Sequence, residues 1–159
     1  MRQIPLSQGK FTIVDDEDFE YLNQWKWYYR ESVRGSNLGY VIRSTDKKRM
    51  HRIINKTPKG MYTDHINRNK LDNRKENLRT CTYSQNNCNK EIRSDNTSGF
   101  KGVIWLKRRS RWIVRLCKSG KCINGGSFKD KNEAAKRYNS LAIALFGKFA
   151  KLNQVDNPY

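Results

Sequence analysis

An acidic residue and a histidine stand side by side at Asp64 and His65, in a chain with only two histidines. A run of asparagines follows them, at Asn73, Asn77, Asn86 and Asn89. Carboxylate and amide oxygens are the ligands that a hard divalent cation prefers. An imidazole beside such an ion can take a proton from water near neutral pH. A metal site with a base, in a strongly basic chain, indicates hydrolysis of a phosphodiester.

The sequence "DHINRNKLDNRKENLR", followed by "SQNNCN", resembles the HNH endonuclease motif, in the form found in phage and intron-borne homing endonucleases. The resemblance implies two strands and a helix around one metal, the ββα-metal or His-Me finger fold. It makes His65 the general base and Asp64 and Asn86 the metal ligands. Asn77 would brace the loop that carries His65 through backbone hydrogen bonds.

Local patterns agree with that assignment. "MYTDH" is typical of a short strand that ends at the acid and the base. Thr82 and Gln85 have the spacing of a capping box, which predicts a helix beginning at Thr82. Asn86 then falls early in this helix, and Asn89 lies one turn further along the same face. We therefore place Asn89, with the second histidine His51, among the candidate residues just outside the metal ligands.

The bulk composition favours a polyanionic partner. The chain has 159 residues, 36% of them apolar, and a formal net charge of +18. Such a charge favours nucleic acid first and an acidic membrane surface second. We expect a soluble, cytosolic protein with reduced thiols and no membrane partner, since no apolar run approaches the roughly 18 residues of a membrane span. The four cysteines form no CxxC pair, so we do not expect a structural zinc.

The first 55 residues have the pattern of a small β-rich module. "KFTIVD" predicts a strand with Phe11 and Ile13 inward, and an acidic first turn predicts a helix within 15–24. "QWKWYYRE" and "GYVIRS" predict two paired strands joined by the turn-like "RGSNLG". We interpret the tryptophans of this region, such as Trp27, as core residues.

Several residues around the motif remain open to two interpretations. His51 is a candidate for a phosphate contact, a residue near the metal, or a core or surface residue without a role in the site. Arg52 and Arg74 are candidates for phosphate contacts, and Arg74 would alternatively stabilise its loop. Asp72 and Asn73 are interpreted as residues that shape the loop, because Asp and Asn favour turns for their own reasons.

A second pattern begins at Ser98. Three short strands are predicted, near 100–105, 111–117 and 121–128. Asp130 and Glu133 then have the spacing of a helix start, and Gly147 stands where that helix should stop. One apolar helix face would cover a three-stranded antiparallel sheet, which leaves the opposite sheet face free for a partner.

This C-terminal segment resembles the DNA-binding domain of the APETALA/ethylene-response-factor family, through "GFKGVIW", "RWIVRL", "GGSF", "EAAKRYN" and "FGKFAKLN". In that family the sheet enters the major groove. The resemblance implies that Lys101 and Arg115 lie on the strands that face DNA. Basic residues in or beside the first hairpin would hold phosphates. They are Lys107, Arg108, Arg109 and Arg111.

Together these patterns predict an α+β protein with a nuclease domain over 1–89, a linker over 90–97 and a DNA-binding domain over 98–155. We expect a homing-type endonuclease that uses Mg²⁺, or alternatively Mn²⁺, and cleaves duplex DNA as a monomer or a transient dimer. It would be encoded by a phage or mobile element and act in the bacterial cytoplasm. The alternatives are a transcriptional regulator with an inactive HNH scaffold, a nonspecific nuclease, and an RNA-binding protein.

Overall fold

The computed structural model describes residues 1–31, 39–90, 92, 94–118 and 120–155. The chain divides into two compact units, Met1–Tyr83 and Ser84–Tyr159. Both combine helices with small antiparallel sheets, which confirms the predicted α+β class. The predicted turn "RGSNLG" falls almost wholly outside the described residues. The predicted boundaries at 1–89, 90–97 and 98–155 stay predictions.

The first unit contains six strands and two helices among its described residues. They are β1 (Arg2–Pro5), β2 (Phe11–Val14), α1 (Asp16–Asn23), β3 (Trp27–Arg30), β4 (Tyr40–Arg43), α2 (Met50–Ile54), β5 (Tyr62–His65) and β6 (Leu78–Cys81). The strands form three antiparallel pairs, β1 with β2, β3 with β4, and β5 with β6. The predicted helix within 15–24 and the predicted strand at "MYTDH" are thereby confirmed.

An apolar core joins these pairs. Val14, Leu22, Trp27 and Met50 are almost wholly buried in it, so the core draws on β2, α1, β3 and α2. The indole of Trp27 donates to the carbonyl of Leu22 at 2.8 Å, which satisfies the polar atom that this burial would otherwise leave unpaired. The interpretation of Trp27 as a core residue is confirmed.

The predicted orientation of β2 is wrong. Thr12 and Val14 are fully buried, whereas Phe11 is 53% exposed. An alternating pattern does not show which set of side chains faces the core. Phe11 and Ile13 were assigned to the core only because they are apolar. Thr12 can be buried because its hydroxyl is bonded, donating to the carbonyl of Leu71 at 2.9 Å.

The second unit holds a short helix, a sheet and a long helix. They are α3 (Tyr83–Cys88, its first residue in the first unit), β7 (Val103–Leu106), β8 (Arg111–Lys118), β9 (Lys121–Phe128) and α4 (Lys131–Phe146). The three strands form an antiparallel sheet in the order β7-β8-β9, and α4 packs against it. Asp130 caps α4 by accepting from the Glu133 amide at 2.8 Å, and Gly147 ends the helix with a φ of 52°. The predicted sheet and helix are confirmed.

The cysteines depart from the expectation of reduced thiols. Cys117 and Cys122 stand opposite each other in β8 and β9 and form a disulfide, so the expectation is wrong for this pair. Direct cross-strand placement brings their side chains together, which sequence spacing alone does not reveal. Cys81 and Cys88 are free and buried.

None of the described helices is long and apolar enough to cross a membrane.

Candidate active site

The pairing of β5 with β6 places the acid and the histidine. Asp64 stands opposite Arg79 and His65 opposite Leu78. The Arg79 guanidinium donates to Oδ2 of Asp64 from Nε at 2.9 Å and from Nη2 at 2.7 Å. The Asp64 side chain is only 3% exposed, so its charge is balanced inside the unit.

His65 is fully buried at the end of β5. Its Nε2 lies 3.0 Å from Oδ1 of Asn73, and its Nδ1 lies 3.4 Å from Nζ of Lys70. Burial, followed by the charge of the nearby Lys70 ammonium, lowers the pKa of His65 to about 4. The imidazole is therefore neutral at neutral pH, the form in which it can accept a proton.

His51 forms one wall of this site. Its ring lies edge-on to that of His65, with 5.1 Å between centroids, and 4.9 Å from the ring of Tyr40. The side chain is buried, and burial followed by the charge of His65 lowers the pKa of His51 to about 2. Of the interpretations left open by the sequence, the structure supports a buried residue packed on His65.

Asn77 ties together the loop between β5 and β6. Its Oδ1 accepts from the amide of Asn67 at 2.9 Å, and its Nδ2 donates to the carbonyl of Asp72 at 2.8 Å. The Asn77 carbonyl also accepts from the amide of Ile66 at 2.8 Å. These bonds fix both ends of the segment that follows His65.

Asp72 and Asn73 have different partners in this loop. Asp72 accepts from Nε and Nη2 of Arg74, each at 2.8 Å, and Arg74 together with Asn67 lowers the pKa of the Asp72 carboxyl. Asn73 instead reaches His65, a contact that the sequence analysis missed. Nδ2 of Asn73 donates to Thr12, which is 61 residues away, so the orientation of its amide depends on a contact that no local pattern signals.

Three of the predicted DNA-binding residues are bonded to the protein itself. Arg52 donates to the carbonyls of Met61, Thr57 and Pro58. Arg74 holds Asp72, as described above. Lys101 precedes β7 rather than lying on it, and its ammonium donates to the carbonyls of Cys88 and Lys90. Each of these three cations stabilises a loop.

Other basic residues point to the surface of the second unit. In β8 the side chains of Val114 and Leu116 are buried, while Arg115 between them is exposed. The hairpin before β8 carries Lys107, Arg108 and Arg109, all exposed, and the partly exposed Arg111 begins the strand.

The two predicted metal ligands, Asp64 and Asn86, belong to different units of the chain. Asn86 is half-buried in α3, and Asn89 is buried just after that helix. Within the described residues, no group of three or more His, Cys, Asp or Glu side chains is arranged to hold a metal ion. A site shared by Asp64 and Asn86 stays a prediction.

The pair β5–β6 thus carries an acid and a buried histidine, and an asparagine-rich loop braced by Asn77 lies between its strands. A profile of the HNH endonuclease family matches residues 56–88. An uncharacterized HNH endonuclease of Acanthamoeba polyphaga mimivirus is 32% identical over 155 residues, covering 94% of this chain and 78% of that protein. The protein named Protein 3.8 of Escherichia phage T7 is 36% identical over 94 residues, covering 59% of this chain and 77% of the phage protein. No solved structure matches the chain significantly.

The chain therefore belongs to the HNH endonuclease family and is an enzyme of that class.

Proposed function

We propose that this enzyme is a metal-dependent, homing-type endonuclease that hydrolyses phosphodiester bonds in duplex DNA. The observation that carries the proposal is the environment of His65. The imidazole is buried, neutral at neutral pH, bonded to Asn73 through one nitrogen and preceded on its strand by a carboxylate. This is the arrangement of an oriented general base.

His65 accepts the proton of the water that attacks the scissile phosphorus. For this step the ring must hold its orientation, which the bonds of Asn77 to Asn67 and Asp72 support by fixing the following loop. Lys70 lies 3.4 Å from Nδ1 of His65, so its ammonium must move away when the water approaches that nitrogen. A phosphate oxygen of the substrate is the natural new partner for Lys70.

The proposed donor set, one carboxylate and one amide, is of the chemical type that binds a divalent metal such as magnesium. Mg²⁺ keeps several waters and is bound through one or two carboxylates plus substrate phosphates, so a single protein carboxylate suffices. Asp64 provides that carboxylate, and Asn86 is the second proposed ligand. When bound, the metal supplies positive charge that stabilises the phosphate in the transition state. Mn²⁺ prefers the same oxygen ligands.

The second unit binds the DNA in this proposal. Its sheet is covered by α4 on one face, and Arg115 lies on the other face. The exposed cations of the adjacent hairpin, Lys107, Arg108 and Arg109, extend the basic surface together with the partly exposed Arg111 at the start of β8. Arg52, Arg74 and Lys101 are weaker candidates for DNA contacts, because each would first have to leave protein partners.

Plasmid cleavage tests the proposal. Supercoiled DNA should be nicked or linearised with Mg²⁺ or Mn²⁺, and EDTA should abolish cutting. Specific binding without cleavage in any metal would favour the inactive-scaffold regulator. Cleavage without preferred sites would favour a nonspecific nuclease, and stronger competition by RNA than by duplex DNA would favour an RNA-binding protein.

A matched pair of variants tests the DNA-binding surface. Arg115→Ala should weaken duplex binding by about ten-fold, the effect of losing one phosphate or base contact of 1–3 kcal/mol. Lys136→Ala removes the same charge from the exposed side of α4 and should leave affinity almost unchanged. If both variants lost the same amount of DNA affinity, the affinity would come from net charge rather than from contacts of the sheet.

Both relatives are viral, and the one from an Escherichia phage is consistent with a phage-encoded or mobile-element protein that acts in the cytoplasm of a bacterial host. One His65 per chain favours a nick by a monomer, or a double-strand break by two copies that meet on DNA.

A further inference from the structure

We propose that Thr12, in strand β2, is a positioning residue. It acts through Asn73 to fix which ring nitrogen of His65 carries hydrogen. Thr12 lies outside residues 56–88, the part that matches the family profile. The inference rests on the proposed role of His65 as the base, and it adds the device that keeps the base in its reactive form.

A continuous chain of buried hydrogen bonds connects the two residues. The Thr12 hydroxyl lies 2.9 Å from the carbonyl oxygen of Leu71, and Nδ2 of Asn73 lies 2.8 Å from the same hydroxyl. Oδ1 of Asn73 then lies 3.0 Å from Nε2 of His65. Thr12, Asn73 and His65 are each at most 1% exposed, so water does not compete for these bonds.

The donor and the acceptor of each hydrogen bond follow from the carbonyl of Leu71, at which this series of bonds ends. A carbonyl oxygen only accepts, so the Thr12 hydroxyl donates to Leu71. The Thr12 oxygen is then free to accept from Nδ2 of Asn73. The other end of that amide is an oxygen, which also only accepts. Nε2 of His65 must therefore carry the hydrogen, and Nδ1 holds the lone pair.

The neighbours of the Asn73 amide disfavour its opposite orientation. A flipped amide would turn its oxygen toward the carbonyl of Lys70, which Nδ2 now faces at 3.4 Å. The Thr12 hydroxyl has only one hydrogen, and it would then face two acceptors, the side-chain oxygen of Asn73 and the carbonyl oxygen of Leu71. One close pair of oxygens would be left without a hydrogen between them.

Backbone pairing holds Thr12 in place. The next residue, Ile13, forms a parallel bridge with Asp72. Its amide donates to the carbonyl of Leu71 at 2.8 Å, and its carbonyl accepts from the amide of Asn73 at 2.8 Å. Strand β2 thus holds the loop around Leu71 and Asn73 through backbone hydrogen bonds.

The functional consequence is the choice of the basic atom. With hydrogen fixed on Nε2, only Nδ1 can take the proton of the attacking water. Nδ1 is the nitrogen that faces Lys70, on the side where we propose that the phosphate binds. A ring that exchanged its two tautomers would present an N–H to the water for part of the time.

Nitrogen-15 NMR of histidine in the metal-free, DNA-free protein tests the inference near neutral pH. His65→Ala assigns the signals, because the chain has only one other histidine. Wild-type protein and Thr12→Ser, which keeps the hydroxyl, should show His65 with hydrogen on Nε2 alone. Thr12→Val should add a second population with hydrogen on Nδ1. Thr12→Ala provides the same readout with a smaller side chain if the valine variant fails to fold.

The matched control is Thr63→Val. Thr63 is another buried threonine of the first unit, and its hydroxyl bonds to Thr57 instead of Asn73. This variant should lose stability and keep the wild-type His65 spectrum. Single-turnover cleavage should fall about ten-fold in Thr12→Val and recover in Thr12→Ser, since loss of orientation in a base has effects of at least that size.

Two results would overturn the inference, namely hydrogen on Nδ1 of His65 in the wild-type protein, or a wild-type spectrum in both Thr12→Val and Thr12→Ala. Neither depends on cleavage. An inactive wild-type protein with the expected spectra would refute the nuclease function and leave the tautomer assignment standing.

Discussion

Replacing Asn77 with alanine should destabilise the first unit strongly, because one side chain satisfies two backbone groups. Its Oδ1 accepts from Asn67 at 2.9 Å and its Nδ2 donates to Asp72 at 2.8 Å. The side chain is buried, with 5% of the residue exposed. Each buried backbone group left without a partner costs about 1–3 kcal/mol, and partial access of water brings the sum to about 2–4 kcal/mol.

Urea unfolding followed by tryptophan fluorescence measures this loss. Trp27 is 1% exposed in the core of the same unit, so unfolding of that unit changes its emission, while Trp105 and Trp112 report on the second unit. With a slope of about 1–3 kcal/mol per molar urea, the expected loss lowers the midpoint by about 1–2 M. Asn77→Asp provides a sharper test. It keeps an acceptor for Asn67 but turns a carboxylate oxygen toward the Asp72 carbonyl, so it should be no more stable than the alanine variant.

The matched control is Asn23→Ala, which removes an exposed asparagine from the end of α1. It should change stability by less than about 0.5 kcal/mol. A loss below about 1 kcal/mol in Asn77→Ala would refute the bracing role, because two unsatisfied buried groups cannot cost so little.

Three further measurements follow from the structure. His51 and His65 have pKa values lowered to about 2 and about 4, whereas in the unfolded chain both titrate near 6.5. The unfolded state therefore binds more protons below pH 6.5, and stability should be full above that pH. In metal-free urea unfolding it should fall from pH 6.5 toward 4 by up to about 2.7 kcal/mol per pH unit, and a flat profile would contradict the neutral burial of the pair. A thiol reagent should find two cysteines in the unfolded, unreduced protein and four after reduction of Cys117–Cys122, and four without reductant would contradict the disulfide. The logarithm of DNA affinity should fall linearly with the logarithm of salt concentration, and a flat response would exclude phosphate contacts as the source of affinity.

Local signals in the sequence were sufficient for most of the secondary structure. The capping spacing of Asp130 and Glu133 and the stop at Gly147 depend on residues close in sequence, and both ends of α4 were predicted from them. The acid and histidine at the end of a strand were likewise predicted, because "MYTDH" is a local pattern.

Contacts between distant segments could not be predicted in the same way. The bond between Thr12 and Asn73 spans 61 residues, and it reverses the face of β2 expected from apolar type alone. The engagement of Arg52 with three carbonyls is local, but it depends on the exact path of the chain. From composition alone, Arg52 would be regarded as available to DNA, but its guanidinium is already hydrogen-bonded within the protein.

The most direct test of the central claim compares single-turnover cleavage by wild-type protein and His65→Ala at equal occupancy of the same duplex with Mg²⁺. We expect unchanged DNA affinity and a rate at least about 100-fold lower in the variant, the usual contribution of a general base. Cleavage by His65→Ala at the wild-type rate would contradict the assignment of His65 as the general base.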